Sequence, residues 1–122
     1  MILKEATVGG TIYVDWLEDE TKLPEAERIA FDYGPLSNRV KIDLLHNSRS
    51  ATGFPNGADV CKAAIDGTGR KVKNITTPTG EKLDTIEKLL AYNGEGNSIA
   101  YMIEIAGCEI WKRQAGEVGL KN

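Results

Sequence analysis

The stretch Arg28–Leu45 constrains the fold more than any other part of the chain, because its apolar period changes partway along. Ile29, Phe31 and Tyr33 alternate with polar or small residues, the pattern of a half-buried strand. Gly34 and Pro35 break that ladder. Ser37 then stands where a helix N-cap belongs, with Leu36 before it in the position of a hydrophobic staple. Beyond Ser37, Val40 with Leu44, and Ile42 with Leu45, recur at helical spacing. The segment therefore predicts a strand over 28–33 that delivers the chain into a helix from about Asn38 to His46. That junction specifies architecture and names no reaction.

The flanking segments extend the same reading. Thr11–Leu17 is expected as a first strand, with Ile12, Val14 and Trp16 on one face and Tyr13 and Asp15 on the other. Ala6–Val8 fits a short strand before it. The charged run Glu18–Glu27, which carries Pro24, reads as an exposed loop joining two antiparallel strands. After the first helix, Asn47–Gly57 is a soft surface loop whose only large apolar residue is Phe54. Ala58–Asp66 fits a second helix, with Cys61, Ala64 and Ile65 on one face and Gly67 and Gly69 ending it. Val72–Thr76 reads as extended, Thr77-Pro78-Thr79-Gly80 as a reverse turn, and Ile86, Leu89 and Leu90 as a helix closed by Tyr92-Asn93-Gly94.

Ile99–Ile110 fits two templates. Ile99, Met102, Ile103, Ala106 and Ile110 follow a helical stripe, whereas Ile99, Tyr101, Ile103 and Ile105 alternate as a strand would. The length of the segment and the N-cap chemistry of Asn97 and Ser98 favour the helix. Gly107 is then a weak point in it, costing about 1 kcal/mol relative to alanine. The expected architecture is a single α+β domain over 1–122. Its mainly β part, 1–36, forms a small antiparallel sheet packed with three to four short helices from a mainly helical part, 37–114, before a frayed polar tail, 115–122.

Composition and motif spacing restrict function mainly by exclusion. Eighteen acidic against fifteen basic side chains leave a formal charge of -3, unlike the clustered basic field of a nucleic-acid surface. The longest basic candidate, Arg70, Lys71 and Lys73, is short and reads as a solvated turn. No apolar run approaches the roughly 20 residues of a membrane span, and MILKEATVGG lacks the apolar core of a secretory signal. Neither nucleic acid nor membrane is expected as a partner. Cys61 and Cys108 sit in apolar patterns and read as buried free thiols. His46, the one histidine, lies near a helix C-terminus, where the dipole favours it, and no His or Cys shows metal-ligand spacing.

Gly67-Thr68-Gly69-Arg70-Lys71 lacks the spacing of a phosphate-binding loop, and Asn93–Asn97 lacks the acidic ladder of a calcium loop. The carboxylates Asp15, Glu18, Asp19 and Glu20 follow a polar face. No catalytic residue and no cofactor are expected. Large apolar groups in polar surroundings remain: Phe54 in the soft loop, and Trp111 beside Lys112 and Arg113. Trp111 is either a lid on the core or an interface anchor. With Ile110, these are the candidate protein-interaction residues.

The joint Phe31-x-Tyr33-x-Pro35-Leu36-Ser37 after a short β segment resembles small proteins encoded among the head and tail genes of tailed bacteriophages and prophages. Val72-Lys73-Asn74-Ile75 followed by Gly80, the helices around Leu89 and Ile103, and the terminal Lys121-Asn122 are similar too. The resemblance implies a tail-assembly or tail-accessory protein, resident in the host bacterial cytoplasm or in the virion, that acts by binding other virion or tail proteins. It also leaves a structural virion subunit open, such as a head–tail connector or a ring-forming tail terminator, and with it homo-oligomerisation. A third class is a small enzyme or regulatory binding domain whose site is scattered along the chain.

Overall fold

The structure, a computed structural model, describes residues 1–2, 9–48, 53–94 and 99–115. Ala6–Val8, Asn97, Ser98 and the tail beyond Ala115 lie outside the described residues. The α+β expectation holds. Strands β1 (Gly10–Tyr13), β2 (Ala30–Tyr33) and β3 (Val72–Lys73) form one antiparallel sheet in the order β1-β2-β3. Among the described residues five α-helices surround it: α1 (Glu18–Thr21), α2 (Asn38–Asn47), α3 (Gly57–Ala64), α4 (Ile86–Ala91) and α5 (Ile99–Ala115).

β2 is the central strand and the most buried of the three, with Ala30, Phe31 and Tyr33 all in the core. Phe31 pairs with Ile12 on one side and Val72 on the other, and all three are buried. The β1 ladder stops earlier than the alternation of Thr11–Leu17 suggests. Val14 still donates to the Ile29 carbonyl at 3.0 Å, but the Asp15 N–H folds back onto the Tyr13 carbonyl and turns the chain away. The charged run that follows is exposed, as expected, yet it is not irregular. It holds the single turn of α1 and a 3-10 turn over Glu25–Glu27, neither with a buried residue.

The joint behaves as its chemistry demands. The Ser37 side chain accepts the Val40 N–H at 3.2 Å and starts α2, while Leu36 is buried. Thr85 does the same for α4 through the Lys88 N–H at 3.1 Å. β3 is supported by Asn74, which takes a left-handed conformation with φ 70°. Its side-chain amide donates to the Arg28 carbonyl at 2.6 Å and the Ala26 carbonyl at 3.1 Å, tying the start of β2 to the end of β3.

The long C-terminal segment is one helix, α5, and its stripe Met102, Ile103, Ala106 and Ile110 is buried. Its closest partner is α3, and Gly107 is the reason. A Cβ built at Gly107 would lie 2.0 Å from the Gly57 carbonyl oxygen, and one at Gly57 would lie 2.3 Å from the Glu104 carbonyl oxygen. The two backbones touch there. Gly107 keeps its propensity cost within the helix, and close approach of the two backbones requires a glycine there all the same.

Ile110 and Trp111 require a correction. Their side chains are 0% and 6% exposed, inside the core. The stripe of α5 continues through Ile103, Gly107 and Trp111, one turn apart each, so the cations beside Trp111 reach solvent while the indole stays inside. Neither residue offers a surface. The cysteines also divide. Cys61 is buried and Cys108 is exposed, both as free thiols, so the expectation of two buried thiols fails at Cys108.

Candidate functional site

The polar side chains that converge in this fold are spent on its own backbone. α3 has no side-chain cap from Asn56. Instead the Glu104 carboxylate, from α5, accepts the Gly57 N–H at 2.9 Å and the Ala58 N–H at 3.2 Å. Asp66 likewise accepts the first N–H groups of α4, from Ile86 at 2.8 Å and Glu87 at 3.0 Å. Buried Ser48 donates to the Asp59 carboxylate and accepts the Asn56 N–H at 2.9 Å. Gln114 accepts the Leu36 N–H at 3.2 Å. Glu104 and Asp66 thereby satisfy the first N–H groups of α3 and α4, which would otherwise be left unpaired.

The sheet edge is occupied as well. β1 is an outer strand, but Arg113 from α5 donates to the Thr11 carbonyl at 3.3 Å. Asp15 takes the Tyr13 carbonyl, and the strand is only four residues long. Short, capped edges resist pairing with a foreign strand. Among the described residues, no three of His, Cys, Asp and Glu stand together as metal ligands. No helix among them is long and apolar enough to cross a membrane. His46 stands in the last turn of α2, exposed.

Apolar surface is a different matter, and it concentrates on α2. This helix of ten residues buries none of them fully. Val40 and Leu44 turn inward and pack against the core, lining an open cleft of about 460 Å³ with Ala63, Asp43, Asp59 and Lys62. Ile42 and Leu45, three residues apart, project from the other side and are 55% and 43% exposed. One helix thus carries two apolar faces, and the fold uses only one.

The outer face is edged by two cations, Arg39 and Lys41, and by the His46 imidazole. Arg39 and His46 lie one turn from Ile42, and Lys41 one turn from Leu45. None of the three enters an ion pair among the described residues. Phe54, 50% exposed, follows α2 beyond the segment 49–52. Of the three interaction residues expected from the sequence, Phe54 alone is on the surface. Ile42 and Leu45 were not among them, although their spacing carried the signal. Two apolar pairs at helical spacing, offset by two residues, cannot share one face of a helix.

The two thiols differ in reactivity for a physical reason. Burial on α3 pushes the Cys61 thiol well above its ordinary range, and its Sγ donates to the Ile103 carbonyl at 3.3 Å. Cys108 faces solvent from α5. An alkylating reagent is expected to label Cys108 in the native protein and Cys61 roughly a hundredfold more slowly, since only a thiolate in reach of solvent reacts. Peptide mass mapping of a labelling time course checks this, and denaturant should equalise the two rates.

Comparison with protein-family models, with curated proteins and with solved structures finds no match for this chain.

Proposed function

We propose that this chain is a non-catalytic, protein-binding accessory of bacteriophage tail or virion assembly, and that it binds through the outer face of α2. Two things support the reading. One is the resemblance of the Phe31–Ser37 joint and the Val72–Ile75 stretch to small proteins of phage tail gene clusters. The other, which carries it, is that the fold leaves Ile42 and Leu45 exposed between unpaired cations while its convergent polar groups are consumed as helix caps. The partner is a tail or virion protein that presents an apolar helix face edged with carboxylates, because Arg39 and Lys41 select against a basic one.

The test uses cells that express the neighbouring tail genes. Affinity capture with the wild-type chain is expected to recover a tail or virion protein. The double variant Ile42→Glu/Leu45→Glu should recover at least about tenfold less, as loss of a central apolar anchor predicts, with its thermal midpoint unchanged. Undiminished recovery would show that the contact lies elsewhere, and recovery of no virion protein would end the reading. Mass spectrometry of finished particles then separates an accessory, which is absent from them, from the alternative, a structural subunit, which is present.

A further inference from the structure

We propose that the outer face of α2 is occupied, before a partner is met, by the acidic segment Glu18–Glu27 of a second copy of this chain, in a head-to-tail contact. The inference rests on the reading of α2 as a docking face and names one occupant of it.

The charges of the two surfaces are opposed. Residues 18–27 carry five carboxylates, Glu18, Asp19, Glu20, Glu25 and Glu27, against one lysine. Lys22 reaches only Glu18, at 3.8 Å. The Arg28 guanidinium is folded onto the Leu23 and Thr21 carbonyls, and Lys73 is held by Asp32 at 3.0 Å. Asp19, Glu20 and Glu27 have no ion pair among the described residues. Within this segment Leu23 is exposed, an apolar group among carboxylates. On α2, Ile42 and Leu45 are apolar groups among cations.

Topology keeps the two surfaces apart in one chain. Tyr13 pairs with Ala30, so the acidic segment closes that end of β2, whereas α2 leaves from the Tyr33 end. No ion pair joins the two surfaces within one chain among the described residues, and contact between copies would pair them. A symmetric α2-to-α2 contact is disfavoured, because it would set Arg39 and Lys41 against the same cations. Contact between two unlike patches is heterologous, so it propagates to a closed ring or a chain of copies. The self-contact and the virion partner compete for one helix face, so assembly of the chain on its target releases it from itself.

Light scattering on the purified full chain tests this separately from partner capture. At low ionic strength the weight-average mass is expected to reach at least about twice the 13.3 kDa of one chain. It should fall back to one chain near 1 M salt, where the screening length is about 3 Å. Arg39→Glu/Lys41→Glu and Asp19→Lys/Glu20→Lys should each be monomeric with unchanged circular dichroism, while an equimolar mixture of the two variants should associate again. Wild-type protein that is monomeric at low salt would overturn the proposal. So would an oligomer that neither pair of reversals affects, even if α2 still captures a virion protein.

Discussion

Gly107→Ala is expected to destabilise the fold by about 3 kcal/mol, seen as a fall of roughly 10 °C in thermal midpoint. Two effects oppose each other at this position. Alanine is the better helix former, by about 1 kcal/mol in a helix interior. Against that, its Cβ would fall 2.0 Å from the Gly57 carbonyl oxygen and 2.4 Å from the Gly57 Cα. Those are backbone atoms, and they cannot rotate aside as a flexible side chain does. Relief requires α3 and α5 to separate, which opens the packing around Cys61, Ala64, Ile103 and Ala106, all buried. The clash therefore outweighs the propensity gain. Calorimetry of the variant decides the sign: a midpoint equal to or above wild type would mean that the two backbones do not touch.

The two phenylalanines of this chain provide an internal comparison, since one substitution removes the same atoms from two environments. Phe31→Ala should cost about 4 kcal/mol, because the ring is fully buried in the central strand between Ile12 and Val72. Deleting it leaves a cavity that sheet neighbours on both sides cannot close. Phe54→Ala should change stability by less than about 1 kcal/mol, because half of that ring already meets water. Urea unfolding followed by circular dichroism measures both. Similar losses at the two positions would contradict the burial that separates them.

What could be read from the residues was what short-range chemistry decides. The passage from β2 to α2 needs only a proline, a serine hydroxyl and a change of period within ten residues, and it forms where expected. α5 was legible for the same reason, from its stripe. β3 was legible only as part of the extended piece Val72–Thr76; its pairing with β2 was not, because a strand of two residues has no period and the link depends on Asn74 reaching across to Ala26 and Arg28. Glu104 and Gly107 were opaque for a related reason. Each acts on Gly57, far away in sequence, so no local window contains both partners.

The surface was partly legible. Phe54 was found because it is isolated among polar residues. For Ile42 with Leu45, and Val40 with Leu44, the residues give the helical spacing of each pair and no assignment to core or surface. Only the orientation of α2 against the sheet decides which pair is inside. Trp111 shows the converse: its cationic neighbours leave a core lid and an interface anchor both open, and the third turn of an apolar row places the indole within.

The loan of Glu104 to α3 has a consequence for how the protein is made. The carboxylate that closes the start of α3 arrives on α5, two helices later in the chain, and the glycine that seats α3 arrives with it. A nascent chain holding everything through α4 still lacks both. Seating of α3 consequently waits for α5, and translation products that stop before Glu104 carry an uncapped, unseated helix open to proteolysis.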